Sequence, residues 1–356
     1  MEIRVIDQEE KFCDLKENWG TIINNMKVKS PFQTWDWNYN WWYLVENREC
    51  ELLILEAFEG KDVFGFAPLV IKNKSIEFIG DKHFDYGAFI CAERKREIIQ
   101  LFFKHVCDLA KKRSLDIVLK CLPEKGDQLG IIREIIEDIP HSLVRKQVDT
   151  ANLNLEEYQN FEGYLKAISS SLRKKAIKPC LKADIEFQIE MYNDDLWNDI
   201  ADIYDDRQSD RIGVSTLEWA RPIVKTLNQA GLLNISTLKY EGNRVSFLIF
   251  FEFSGNDYIW LTAFKKIGKF QLGHYVRYCL IERAYKKNVA VVDMMRGAYD
   301  YKKPWDCNVS SNYEVIVFSS WWKKMKYTSY QKGRKFIRNL VYNNEFLYKF
   351  YKQHSK

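Results

Sequence analysis

The stretch Lys265-Lys266-Ile267-Gly268-Lys269-Phe270-Gln271-Leu272-Gly273-His274 sets two glycines and three lysines at the start of a helical pattern. A helix start offers unpaired N–H groups and the positive end of a dipole, and glycines let an anion approach the backbone. The loop therefore suits a phosphate or diphosphate, or it is a basic turn that caps an ordinary helix. Further on, Asp293 lies near the end of the apolar run Val289 to Met294. Burial there would raise its pKa and suit it as a general base; accepting N–H bonds in the turn Met295 to Gly297 is the structural alternative. Tyr299, Tyr301 and Lys302 follow, so a phenol could return a proton and an ammonium could steady an anion or orient Asp293. Glu252 and His274 are weaker bases; the helix start favours the neutral form of His274. In Asp205-Asp206-Arg207-Gln208-Ser209-Asp210-Arg211, the guanidinium groups of Arg207 and Arg211 could fork onto a phosphate or carboxylate. Self-pairing in water is the other reading of that run.

Metal and disulfide chemistry have little support. The eight cysteines (13, 50, 91, 107, 121, 180, 279, 307) form no Cys-x-x-Cys pair, and the five histidines are far apart, so no metal is expected. The chain has 356 residues, enough for two domains, and 46% hydrophobic content with a net charge of +5 excludes a disordered chain. The longest apolar run, Val245 to Phe253, is interrupted by Ser246 and Glu252, far short of a membrane span. Met1 to Phe12 is too acidic and polar for a signal peptide, which points to a soluble, cytoplasmic protein. Charge is uneven: Ser319 to Lys356 carries ten Lys and Arg against Glu345 alone, or +9, which leaves −4 for the rest. This aromatic, basic tail could meet an anionic membrane surface or nucleic acid. The favoured expectation is a helical segment whose aromatics pack on the protein while its lysines are solvated.

These groups must be positioned by two similar α/β units. The first reads as a strand at Ile3 to Ile6, helices over Lys11 to Asn25 and Asp36 to Glu46, and a meander of Glu51 to Phe58, Val63 to Ile71 and Ser75 to Ile79. A loop, a helix from Arg94 to Arg113 and a buried strand from Leu115 to Leu122 follow. Helical segments over Glu156 to Leu181 join the halves. The second unit repeats the order: Ile185 to Met191, helices near Leu196 to Arg207 and Thr216 to Gln229, and a meander of Leu233 to Tyr240, Arg244 to Phe253 and Tyr258 to Phe264. A helix from Tyr275 to Lys287 and strands Val289 to Met294 and Tyr313 to Phe318 complete it. Expected boundaries are 1–155, 156–318 and a tail at 319–356.

This order, with the signatures Phe32-Gln33-Thr34-Trp35-Asp36-Trp37, Trp41-Trp42 and Gly80 to Phe89, resembles the GNAT acyltransferases, in particular the tandem CelD- and FemAB-related N-acyltransferases. The block Tyr258 to Trp305, with Gly297, Tyr301, Lys302 and Trp305, is the sharper match. The resemblance implies an α/β fold of two tandem GNAT-like domains, each a mixed, mostly antiparallel sheet flanked by helices. It implies acyl-CoA as co-substrate, held by Thr262, Lys265, Gly268, Lys269, Gly273 and His274, with the thioester carbonyl on backbone N–H groups of Tyr258 to Phe264. It also implies Asp293, Tyr301 and Lys302 as catalytic groups. In the wider superfamily the loop reads Gln/Arg-x-x-Gly-x-Gly/Ala; here Lys265 and Phe270 depart from it, which leaves room for another donor. The loop Gly80 to Ile90 lacks such a constellation, so the first unit would bind the acceptor. His83, Asp85 and Tyr86, with Arg207, Arg211, Arg296 and Trp305, are the candidate contacts.

The leading expectation is N-acylation of an amino sugar, nucleotide-linked, in surface polysaccharide synthesis. FemAB-like transfer from aminoacyl-tRNA to a peptidoglycan precursor is the alternative enzyme. A non-catalytic membrane- or nucleic-acid-binding module would leave both α/β units unexplained. The partners expected are a small-molecule sugar amine and no nucleic acid, with peripheral membrane contact left open to the tail.

Overall fold

The computed structural model describes residues 1–208, 216–297 and 300–343, with side chains in its last helix as far as 333. The first half supplies β1 (Glu2–Ile6), β2 (Glu51–Glu59), β3 (Asp62–Lys72), β4 (Ser75–Phe78), β5 (Ile90–Cys91), β6 (Asp116–Pro123) and β7 (Ser142–Asn154). The second supplies β8 (Ile185–Glu190), β9 (Asn234–Tyr240), β10 (Asn243–Phe253), β11 (Asn256–Phe264), β12 (Val291–Arg296) and β13 (Asn308–Val317). The meanders form where tight turns admit positive φ, as at Gly60 (+63°), Gly242 (+78°) and Gly255 (+77°). Two strand pairs are parallel, β4 with β6 and β11 with β12. Each is joined through a helix, Lys95–Arg113 or Leu272–Lys286, because a parallel pair needs a long crossover.

All thirteen strands join one sheet, in the order β1-β2-β3-β4-β6-β13-β7-β12-β11-β10-β9-β8, with β5 beside β3. The halves exchange their last strands. β7, from the first half, pairs with β12, and β13, from the second, pairs with β6; β7 and β13 then pair with each other along Ser142 to Asn152. The crossover strands of both halves are thereby held in one register. One apolar cluster crosses the junction, packing Phe12, Trp37, Phe66 and Phe102 with Trp197, Phe247 and Phe251. A second lies around the helix Leu272–Lys286.

Two sequence expectations are corrected. The helix foreseen over Lys11 to Asn25 breaks at Asp14 and Leu15 into Glu9–Cys13 and Lys16–Asn25. The segment Glu156 to Leu181 is helical in pieces, as foreseen, among them Phe161–Ala167, capped by Asn160, and Lys178–Leu181, with Pro179 in its first turn. The tail forms a helix, Trp321–Asn343, and most of the described aromatics, those between 321 and 333, do not pack as foreseen. Tyr327 does meet Phe318 and Arg145, yet Trp321, Trp322, Met325 and Tyr330 face outward, and lysines do much of the docking. Lys323 binds Asp116 at 3.0 Å and Lys324 binds the Pro140 carbonyl at 2.9 Å.

Candidate active site

The register of β11 and β12 covers Asn256 to Tyr258 against Val291 to Asp293 and stops there, although both strands run on. Just past that point Met295 adopts φ +62°, a left-handed conformation that a side chain rarely takes, and the ladder to β7 slips between Asp293 and Arg296. Asp293 supports the kink by accepting the Met295 N–H on Oδ1 at 2.7 Å. Its other oxygen accepts the hydroxyl of Tyr86, from the first half, at 2.6 Å. Burial pushes the Asp293 carboxyl up to about 6, against the pull of these two donors. A carboxyl poised there can take up and release a proton near neutrality. Lys302 is buried and donates to the carbonyls of Met294, Met295 and Arg296 at 2.6, 2.9 and 2.8 Å. Its ammonium thus gathers the three carbonyls around the kink, and burial lowers its pKa to about 8.

The loop that carries Tyr86 is bound to the second half along its length. The His83 carbonyl accepts from the Trp260 indole at 2.7 Å, and the Asp85 carbonyl accepts from Asn312. The Asp85 carboxylate takes the backbone N–H of Arg296 at 2.9 Å and its guanidinium, which also reaches the Phe84 carbonyl. Asp85 and Arg296 therefore lock the loop against β12. The His83 ring lies 4.0 Å from Trp219 and 4.9 Å from Trp41, and burial lowers its pKa to about 4, so it is neutral at pH 7.

In the basic loop, Gly268 has φ +46° in open space, and Lys265 pairs with Asp202 at 2.5 Å. Lys269 is exposed, and the Thr262 hydroxyl donates to the Phe247 carbonyl at 3.0 Å. Gly273 meets a packing need, since a Cβ there would stand 2.4 Å from the Phe264 ring. It lets the helix start lie against β11. His274 accepts the Trp305 indole N–H on Nδ1 at 3.2 Å; burial, then the Arg277 charge, lower its pKa to about 4. Trp305 is fully enclosed, so it acts through His274 rather than on a ligand. Tyr301 is 38% exposed, with the Arg277 guanidinium 4.9 Å over its ring and His274 at 6.5 Å.

The structure thus brings Asp293, Tyr86, Lys302, Asp85 and Arg296 into one cluster, and His274, Tyr301, Trp305 and Gly273 into a second at the helix start. Arg207 lies over the Phe264 ring at 5.2 Å, beside the basic loop. Arg211 and Tyr299 lie outside the described residues. Sequence reading missed Arg277, a buried cation one turn into the helix with its Nε unpartnered among the described residues. An arginine inside the apolar run Tyr275 to Ile281 was its signal. It also missed a cavity of about 340 Å³ behind the Tyr86 loop, lined by Gly87, Ala88, Gln33, Lys27, Lys95 and Lys125 among others. Among the described residues no three His, Cys, Asp or Glu side chains are grouped to hold a metal.

A two-part sheet of this order, with a basic loop opening the crossover helix, defines the class: a tandem GNAT fold. The solved structure of FemX aligns with a TM-score of 0.65 at 11% identity, covering 89% of this chain and 97% of that one. A tandem GNAT protein from the clavulanic acid biosynthesis pathway aligns at 0.54 and 10% identity, covering 90% and 99%. The C-terminal domain of a putative lysylphosphatidylglycerol synthetase from Agrobacterium fabrum aligns at 0.55 and 10%, covering 86% and 92%. No curated protein matches the sequence. Residues 174–303, which hold the basic loop and Asp293, match the family model described as Acetyltransferase (GNAT) domain.

Proposed function

We propose that the chain transfers an acyl group from acyl-CoA to the amine of an amino sugar, nucleotide-linked, as a cytoplasmic step of surface polysaccharide synthesis. The observation that carries this reading is the Tyr86–Asp293 hydrogen bond at 2.6 Å, which sets a carboxyl with a pKa of about 6 between an acceptor half and a donor half. Acyl-CoA would supply an activated thioester. The basic loop suits its diphosphate: Lys265, Lys266 and Lys269 precede the start of the helix Leu272–Lys286 in the chain, and buried Arg277 adds positive charge one turn in. Asp293 would take the proton from the attacking ammonium, and Tyr301, at the helix start, would return one to the leaving group. Lys27, Lys95 and Lys125 around the cavity suit the anionic part of the acceptor.

Calorimetry with acetyl-CoA should give one site per chain, weakened at least tenfold by joint Lys265→Glu and Lys269→Glu reversal. Two sites, or none with any CoA ester, overturns the assignment of the donor loop.

A second reading, transfer from aminoacyl-tRNA, has one observation in its favour. Where the superfamily loop has its last glycine or alanine, Phe270 closes the turn through its N–H to the Ile267 carbonyl at 3.0 Å and packs on Tyr240. Release of a labelled amino acid from charged tRNA, with no heat from any CoA ester, would select it.

A further inference from the structure

We propose that the helix Trp321–Asn343 is a membrane-surface anchor that seats this protein on an anionic lipid bilayer. Between 321 and 333, exposure follows the helical period. Lys323, Lys324, Tyr327, Thr328 and Gln331 are half-buried, and Trp321, Trp322, Met325, Lys326, Ser329, Tyr330 and Lys332 are exposed. The half-buried face is the docking face, held by Lys323 to Asp116 and by Tyr327 under Arg145. The opposite face carries three aromatic rings and a methionine. Trp322, at 76%, is the most exposed large apolar side chain among the described residues, and Trp321, Met325 and Tyr330 reach 51%, 43% and 61%. The two indoles touch edge to face with centroids 5.0 Å apart, forming one apolar patch.

A solvated helix has no reason to turn its tryptophans outward and its lysines inward. A helix lying at a lipid interface does: indole and phenol rings settle at headgroup depth, and lysine side chains reach the phosphates. Charge selects the occupant. The helix has seven Lys and Arg and no acid, on a chain whose residues before Ser319 sum to −4, so an anionic surface attracts this element and repels the rest. Among the described residues no helix is long and apolar enough to cross a membrane, so the contact is peripheral. Nucleic acid would meet the same charge, but the methionine and paired indoles on the outward face favour insertion into an apolar layer.

The test uses the full chain in flotation with vesicles of phosphatidylcholine, alone or mixed with phosphatidylglycerol. Binding is expected to the mixed vesicles only, and to weaken with salt. Joint Trp321→Ser and Trp322→Ser should lower partitioning at least tenfold, and each of Lys326→Gln and Lys332→Gln about fivefold, the worth of one basic residue at an anionic surface. None of these side chains is buried, so thermal melting should stay unchanged, which separates lost binding from lost folding. The proposal is overturned if the mixed vesicles do not bind, or if the tryptophan variant floats as well as the parent. It is equally overturned if the parent is a dimer that this variant dissociates, or if the variant loses RNA binding but keeps the vesicles.

Discussion

The ends of the two crossover strands, β6 and β12, make the same backbone move with different chemistry. Each pairs in parallel with its meander strand over three residues, and each then kinks at a non-glycine residue of positive φ, Cys121 at +57° and Met295 at +62°. In the first half the freed Cys121 N–H goes to the amide of Gln147 at 2.8 Å, and the gap is closed by the half's own loop. Gly87 donates its N–H to the Cys121 carbonyl at 2.9 Å, so close that a Cβ at 87 would stand 2.4 Å from the Lys120 carbonyl oxygen. In the second half the freed N–H goes to an ionisable group, Asp293, the carbonyls go to the buried ammonium of Lys302, and β11 runs on past its last partner on β12. A backbone opening becomes a candidate site here where titratable groups satisfy it. Where a neutral amide and a glycine loop do so, the same opening is structural.

The sharpest way to break this contrast is to neutralise each kink. Asp293→Asn keeps the shape and the cap on Met295, so turnover of an accepted amine should fall about 10²–10⁴-fold, the usual worth of general acid–base catalysis, with donor affinity unchanged. Gln147→Leu at the first kink should cost stability and leave kcat alone. Equal kinetic losses from the two variants would show that the halves do not divide the work.

A smaller effect probes the plug. Gly87→Ala should destabilise by about 1–3 kcal/mol, the cost of overpacking, because the group it meets is backbone and cannot swing aside. Gly273→Ala meets only the ring of Phe264 and should cost less. Thermal melting of the two variants gives the order; the reverse order would mean that the first opening is loosely filled.

The smallest effect is a pH shift. Tyr86 lowers the Asp293 pKa through its hydrogen bond, so Tyr86→Phe should raise it above about 6 and move the acid limb of kcat/KM to higher pH. The sign for stability follows. Because the folded pKa exceeds the ordinary 3.8, Asp293 contributes most below about pH 4 and loses that contribution as pH rises through 6. Tyr86→Phe should extend this loss upward in pH. An acid limb that stays in place would remove Asp293 as the titrating base.

The order of elements was legible in the sequence because it rests on local patterning. The meanders announce themselves by alternating runs broken at Glu59-Gly60-Lys61 and Glu241-Gly242-Asn243, and Thr34 caps its helix through the Trp37 N–H at 3.2 Å. The basic loop before Leu272 and the carboxylate at 293 were visible for the same reason: a charged residue in an apolar run stands out. Orientation was harder to read. The tail's composition favoured buried aromatics, yet the contact of Lys323 with Asp116, on a strand far away in the chain, turns the helix the other way.

By itself, then, the sequence determined two similar α/β units, a basic glycine-bearing loop in the second, and a basic aromatic tail, since propensity, periodicity and charge act over a few residues. Only the tertiary structure decided that β7 and β13 change places to make one sheet, that Trp305 serves His274 from inside, and that Tyr86 meets Asp293 across 207 positions of chain. Those contacts depend on strand register and close packing between distant segments, and a shift of one residue in either would part them.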